Sequence, residues 1–110
     1  DLSCRELDAL AALVKAKSKH YSRYPGWEFN PQSSLRDEYL NTYESLYGTR
    51  PEVVVIHAGL ECGIISSKTE GLDIISIGPN MYDIHSPAER LDLRSCEKIW
   101  KVLETFLSRR

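Results

Sequence analysis

Apolar residues recur at helical spacing in three parts of the chain, separated by shorter runs of consecutive apolar residues. The first helical face repeats at i, i+3, i+4 and i+7 and consists of Leu7, Leu10, Ala11 and Val14. Ser3 and Glu6 form a capping-box pattern just ahead of this face. The pattern predicts an amphipathic helix over about residues 4–18, ending among lysines that suit the negative end of a helix dipole.

A second and a third helix are predicted further along the chain. The second apolar series comprises Leu35, Tyr39, Leu40, Tyr43, Leu46 and Tyr47. Ser34 with Asp37 forms a capping pattern before it, and Gly48 is suited to end it. The last series comprises Cys96, Ile99, Leu103, Phe106 and Leu107, with Trp100 at its edge. It predicts a helix over residues 94–108.

Two runs of apolar residues do not alternate with polar ones. Val53-Val54-Val55-Ile56 predicts a strand over residues 52–57, and Asp73-Ile74-Ile75-Ser76-Ile77 predicts another. Such continuous runs are typical of strands covered on both faces, as in parallel sheets. The connector, with a short helix near residues 60–66, is long enough for a right-handed βαβ crossover. The predicted fold class is therefore α/β, with a mixed or parallel sheet flanked by helices.

Aromatic residues cluster before the second helix. Tyr21, Tyr24, Trp27 and Phe29 surround Pro25 and Gly26. The cluster predicts an irregular strand broken by a turn. A stacking platform for single-stranded nucleic acid is the alternative, but no basic groove accompanies it, so packing at a domain junction is favoured. The breaker cluster that follows places the best domain boundary near residue 30.

Composition narrows the function classes. The chain has 110 residues and a net charge of −2, which gives no field to attract nucleic acid or an anionic membrane. We find no apolar run of bilayer length and no signal peptide. The three cysteines have no CxxC spacing, which favours a reducing, cytosolic setting over a disulfide framework. Because the first residue is Asp1, we expect the numbering to begin inside a longer protein.

His85 is the first candidate for chemistry. It lies in Tyr82-Asp83-Ile84-His85-Ser86-Pro87, beyond the end of a predicted buried strand, where ligands bind in open α/β sheets. A neutral imidazole is a good zinc ligand, and a proline stiffens the loop that holds it. The alternative is an exposed loop histidine with a capping role. Asp83 is a nearby carboxylate, more simply explained as an exposed loop residue.

A glycine-flanked turn carries the second group of candidates. Gly59 lies between a predicted strand and a short helix, where a backbone without a side chain can approach a ligand closely or simply make a turn. His57 and Glu61 are four residues apart, but Gly59 between them argues against a shared zinc. Glu61 suits the first turn of a helix, and His57 could support a metal site indirectly. Cys62 is more simply a packed thiol than a nucleophile, since no base is evident.

These motifs resemble the aminoacyl-histidine dipeptidases, two-zinc peptidases of the M20 family. The resemblance rests on Tyr24-Pro25-Gly26-Trp27, on His57-Ala58-Gly59-Leu60-Glu61-Cys62-Gly63 and on His85-Ser86-Pro87. It implies that His85 is a ligand to one of two zinc ions and that Gly59 lies beside the bound dipeptide. It further implies that residues 1–30 end an inserted lid domain and that residues 31–110 form the C-terminal part of the catalytic domain.

The resemblance also implies a function for a longer parent protein. That parent would be a cytoplasmic homodimer that hydrolyses Xaa-His dipeptides, and other dipeptides as well, with two zinc ions and a general-base glutamate. The family's remaining ligands and its base lie upstream, so the isolated chain is expected to be inactive. The alternatives are another M20 hydrolase, namely a carboxypeptidase, a tripeptidase or an N-acyl amino acid deacylase, or a stand-alone α/β binding module. Coding sequence upstream of Asp1 would separate the enzyme from the binding module.

Overall fold

A computed structural model describes residues 2–56 and 61–109. In chain order the elements are α1 (Leu2–Leu13), α2 (Ser34–Tyr47), α3 (Glu61–Lys68), β1 (Met81–Tyr82), β2 (Arg90–Leu91) and α4 (Leu93–Leu107). The two short strands pair antiparallel, with Met81 opposite Leu91 and Tyr82 opposite Arg90. The described residues are thus rich in helix and carry one small hairpin.

Helices α2 and α4 pack against each other and form the hydrophobic core. Val102 is 0% exposed, and Phe106 meets Tyr39 in an edge-to-face contact with ring centroids 6.1 Å apart. Aromatic pairs favour this geometry because the positive edge of one ring faces the negative face of the other. The partly buried residues around them are Leu35, Tyr43, Tyr47 and Ile75. The core therefore lies where the sequence places two apolar helix faces.

Both core helices are well capped. The Ser33 hydroxyl accepts a hydrogen bond from the Arg36 N–H at 3.0 Å, so the cap lies one residue before the predicted Ser34. Gly48 ends α2 at φ 67°, a left-handed conformation that glycine adopts without strain. Asp92 caps α4 by accepting from the N–H groups of Arg94 and Ser95. These bonds satisfy donors that a helix end would otherwise leave unpaired.

Helix α1 is shorter than predicted and differs at both ends. It covers Leu2–Leu13 rather than residues 4–18, so Ser3 lies inside the helix and does not cap it. Lys15 adopts φ 54°, while Ala16 donates to the Ala11 carbonyl at 2.8 Å and Lys15 to that of Ala12 at 3.1 Å. This is the hydrogen-bond pattern of a Schellman C-cap. The chain therefore turns away before the lysines can extend the helix.

The predicted parallel or mixed sheet is not found in the described residues. Residues 52–56 and 73–77 do not form strands. His57, the last residue of the first predicted strand, lies outside the described residues. A strand exists through hydrogen bonds to a neighbouring strand, and no described segment pairs with either run. Residues 53–56 consequently remain 45–69% exposed, whereas Ile75 packs against the α2–α4 core.

The chain is extended overall. Its radius of gyration is 19.2 Å, whereas a compact domain of this length would have about 13 Å. Cys4, Cys62 and Cys96 are half-buried thiols. None of the helices in the described part of the chain has both the length and the apolar character that a bilayer crossing requires.

Candidate functional site

His85 lies in the loop between the two strands of the hairpin, residues 83–89, which we call the His85 loop. The imidazole-bearing residue is exposed and its backbone has φ 65°, while Asp83 has φ 52°. Left-handed backbone is uncommon for residues other than glycine, although Asp and His are among those enriched in it. Two such residues within one short loop indicate a conformation that the surrounding contacts impose.

Hydrogen bonds within the loop hold this backbone. The His85 N–H donates to Oε2 of Glu89 at 2.9 Å, and the Ser86 N–H donates to the Asp83 carbonyl at 3.1 Å. The Ser86 hydroxyl accepts from the Ala88 N–H at 3.1 Å. Because each bond closes a short turn, the direction in which His85 leaves the backbone is fixed by local contacts.

The hairpin is in turn fixed to the core helix α4. The hydroxyl of Ser95, which is buried, accepts from the Asn80 N–H at 2.8 Å, and the Asp92 N–H donates to the Asn80 carbonyl at 3.0 Å. Arg90 forms an ion pair with Asp83 across the hairpin and stacks over the Tyr82 ring at 5.2 Å. The His85 loop is therefore connected to the core through Ser95.

The His85 loop offers one donor that suits zinc. An imidazole nitrogen is a common zinc ligand, but catalytic zinc usually takes three protein ligands. The Asp83 carboxylate is paired with Arg90, and that of Glu89 accepts from the His85 N–H. Within residues 2–56 and 61–109, no three His, Cys, Asp or Glu side chains gather closely enough to hold a metal ion. The described residues can therefore supply one ligand and do not by themselves form a zinc centre.

The segment predicted to form a glycine-flanked turn lies only partly within the described residues. Gly59 and His57, the predicted substrate contact and its neighbour, lie outside the described residues. Glu61 begins α3 and lies in its first turn, as predicted, and Cys62 is half-buried. Helix α3 extends to Lys68 rather than ending near residue 66. Neither strand of the hairpin contacts α3 in the described part of the chain.

The structure brings two of the sequence motifs together. Gly63 of α3 lies against the backbone of Pro25 and Gly26, so closely that a Cβ built on Gly63 would lie 2.7 Å from the Pro25 carbonyl oxygen. The depression beside this contact is lined by Trp27 and by polar groups that include Asn30 and Asp73. The motif around Pro25 and the motif that ends at Gly63 are nearly forty positions apart, yet they are in contact beside this depression.

The aromatic cluster does not pack as a unit. Tyr21 and Tyr24 are exposed, Trp27 is half-buried, and Phe29 is covered by the Arg36 guanidinium at 5.0 Å from the ring centroid. The predicted strand is absent over residues 20–30, all of which the structure describes. Of these four aromatic residues, Trp27 alone lines the depression beside the Gly63 contact.

Asp73 is a structurally important residue that the sequence pattern did not single out. Its Oδ2 accepts from the Leu35 N–H at 3.0 Å, which joins residue 73 to the first turn of α2. This hydrogen bond, followed by one from the Ser33 hydroxyl, holds the pKa of Asp73 below its usual value.

The sequence pattern did not single out Ser95 either. Its position on the buried face of α4, in phase with Val102 and Phe106, was the available signal, because a polar residue on an apolar stripe needs a partner.

Comparisons with known proteins find one relative with a described activity. The chain matches no protein-family model. It is similar to the cytosol non-specific dipeptidase of Escherichia coli (strain K12), with 36% identity over 101 residues. The match covers 92% of this chain and 21% of that enzyme, so the chain spans about a fifth of its relative's length. The predicted resemblance is thereby confirmed at the level of a dipeptidase.

Proposed function

We propose that this chain forms one part of a dipeptidase active site and that His85 is its metal-binding residue. The observation that supports the proposal most directly is the His85 loop, in which two left-handed residues and a network of local hydrogen bonds hold one exposed histidine. Strained, well-supported backbone of this kind is concentrated at functional sites. The similarity of 92% of the chain to part of a dipeptidase supports the reaction class.

In this proposal His85 is one ligand to a zinc ion in a two-zinc site. Bound zinc would polarise the scissile carbonyl and lower the pKa of a water molecule. The other ligands and the general base would come from upstream segments of a longer parent protein. Among residues 2–56 and 61–109, no three His, Cys, Asp or Glu side chains lie close enough to hold a metal ion. The chain's own contribution is to hold an imidazole at a fixed position on a hairpin anchored to α4.

Gly59 would contribute the substrate-contacting wall. Its lack of a side chain allows close approach of a dipeptide to the backbone, directly before α3. Residues 1–30 would complete a lid domain, and residues 31–110 would belong to the catalytic domain. In this proposal the contact between Gly63 and the backbone of Pro25 would lie between the two parts.

The proposed substrates are dipeptides, with Xaa-His dipeptides as the narrower proposal. The parent protein would act in the cytoplasm as a homodimer. The relative's name describes that enzyme as non-specific and as cytosolic, which supports dipeptides as a class without favouring one residue before histidine. Cleavage of acylated amino acids would instead favour the alternative M20-type hydrolases.

A chimera tests the proposal. Residues 1–110 replace the matching segment of the Escherichia coli enzyme, and hydrolysis of β-alanyl-histidine and of a dipeptide without histidine is measured with zinc. The chimera should hydrolyse dipeptides, whereas the isolated chain should not. In the chimera, His85→Ala should reduce zinc content and lower kcat by orders of magnitude, because a metal ligand is lost.

His20→Ala is the matched control. His20 contacts Asp8 with Nε2 2.8 Å from Oδ1, remote in sequence from the proposed site. This variant should keep both zinc content and kcat. Zinc-dependent turnover by the isolated chain would contradict the idea that it holds only part of a site. Full zinc content and a near-normal kcat in the His85→Ala chimera would show that His85 is not a ligand.

A further inference from the structure

Gly63 makes a closer approach to another segment than any other described glycine. A Cβ at this position would lie 2.7 Å from the Pro25 carbonyl oxygen and 3.5 Å from the Gly26 carbonyl carbon. Both neighbours are backbone atoms, which cannot rotate away as the end of a long side chain could. A Cβ built on Gly26, Gly48, Gly71 or Gly78 would meet nothing within 4 Å.

Local secondary structure gives no reason for a glycine at this position. Gly63 is the third residue of α3, and glycine disfavours a helix relative to alanine because it loses more backbone freedom on folding. It is also the buried residue of that helix. A glycine that weakens its own helix yet lies under another backbone is explained by that close contact.

We infer that Gly63 is a positioning residue that fixes the segment of residues 24–27 to helix α3. Because α3 begins two residues after Gly59 in the sequence, the contact sets where the segment around Trp27 lies relative to the first turn of the helix that follows Gly59. The inference rests on the proposed role of Gly59 beside the substrate. An added methyl group at Gly63 would separate α3 from Pro25, so the two segments would no longer be held at a fixed distance from each other.

The chain contains a spectroscopic reporter at this contact. Trp27 is half-buried and follows Gly26 directly. Of the two tryptophans in the chain, the other, Trp100, is 69% exposed on α4. Trp100→Phe therefore leaves Trp27 as the sole source of tryptophan fluorescence, with little loss of packing.

The experiment compares Gly63→Ala with Gly26→Ala in the Trp100→Phe chain of 110 residues. Gly63→Ala should shift Trp27 emission to longer wavelength and increase its quenching by acrylamide, because the segment leaves α3. Gly26→Ala, where a Cβ has open space, should leave emission and quenching unchanged. Gly63→Ala should also lower the melting temperature, whereas helix propensity alone would raise it.

Amide hydrogen exchange separates a local change from general unfolding. In Gly63→Ala, exchange should accelerate at Tyr24, Gly26 and Trp27 while the amides of α2 and α4 keep their protection. Unchanged Trp27 emission in Gly63→Ala, or a uniform loss of protection across the whole chain, would overturn the inference. Because neither measurement uses enzymatic activity, failure here is distinguishable from failure of the chimera that tests the dipeptidase proposal.

Discussion

Helices α1 and α4 illustrate how similar sequence patterns can lead to different structures. Each has apolar residues at helical spacing, and each forms a helix. Helix α4 buries Val102 and Phe106 against α2, whereas α1 has no buried residue and its Leu10 is 60% exposed. Periodicity thus identifies the face that a helix is able to bury. It does not identify the surface that will cover that face.

The contacts that hold the two regions differ in kind. Helix α1 is joined to the segment after it by polar groups: Asp8 accepts from the Ser18 hydroxyl and contacts Nε2 of His20 at 2.8 Å. The Ser18 hydrogen bond, followed by that of His20, lowers the pKa of Asp8. Exposed pairs of this sort contribute little to stability because water competes for them. The α2–α4 pair is instead held by buried apolar surface, with polar contacts at its edges.

The largest expected change in stability comes from a substitution in the core, which can be compared directly with one on α1. Phe106→Ala should lower the free energy of unfolding by about 3–5 kcal/mol, because it leaves a cavity against Tyr39. Leu10→Ala on α1 should change it by less than about 0.5 kcal/mol, because that residue is already largely exposed. Urea denaturation followed by circular dichroism measures both values. Equal losses in the two variants would refute the distinction between the regions.

A smaller effect is expected where the hairpin joins α4. Ser95→Ala removes the acceptor for the Asn80 N–H and should lower the free energy of unfolding by about 1–3 kcal/mol, the range for leaving a buried polar group unpaired. Ser67→Ala is the control, since its hydroxyl donates to the Ile64 carbonyl at 2.8 Å on an exposed helix face. A loss for Ser67→Ala as large as that for Ser95→Ala would show that the Asn80 contact is unimportant.

Asp73 should make the stability of the region around α2 depend on pH. Its folded-state pKa lies below the usual value of 3.8, so its stabilising contribution is present above that pH and disappears as the pH falls through the folded pKa. Asp73→Asn should therefore lower the melting temperature at neutral pH, and the difference from wild type should vanish in strong acid. Asp37 lies in the first turn of α2, the turn to which Asp73 is hydrogen-bonded. Asp37→Asn should leave the acid-dependent loss of stability that Asp73 causes in place. A difference between Asp73→Asn and wild type that is independent of pH would contradict the assignment.

The smallest effect is expected at the exposed pair of Arg90 and Asp83. Arg90→Ala should change the free energy of unfolding by about 0–1 kcal/mol, as for other exposed ion pairs. Its consequence should be local: amides of the His85 loop should exchange faster. Arg50→Ala, which breaks the 2.8 Å pair with Glu44, should have a similarly small effect on stability and none on that loop. Unaltered loop exchange in Arg90→Ala would show that the ion pair does not hold the loop.

Sequence reasoning was most accurate where local rules decide the outcome. Helix α2 begins at Ser34 and ends at Tyr47 before Gly48, close to the prediction, because capping and glycine chemistry act within a few residues. The hairpin that presents His85 was foreseen only as a loop. Its first strand depends on pairing Met81 with Leu91, a contact between positions ten apart.

Predictions that required a distant partner were less accurate. The continuous apolar run at residues 53–56 predicts a strand, yet a strand needs another strand beside it, and none pairs with this run in the described residues. The contact of Gly63 with Pro25 was equally invisible in the sequence, since only the tertiary arrangement shows where a Cβ would collide. His85 and Gly59 as site residues stay predictions, which the chimera tests.

The sequence by itself determined the approximate positions of the helices, the end of α2 at Gly48, the loop that carries His85 and the resemblance to a dipeptidase. These depend on side-chain spacing and on contacts within a few residues. Only the tertiary structure decided that α2 and α4 bury each other, that Ser95 anchors the hairpin, and that Gly63 lies beneath Pro25. Burial and close approach depend on which segments meet in space, and spacing along one segment carries no information about its partner.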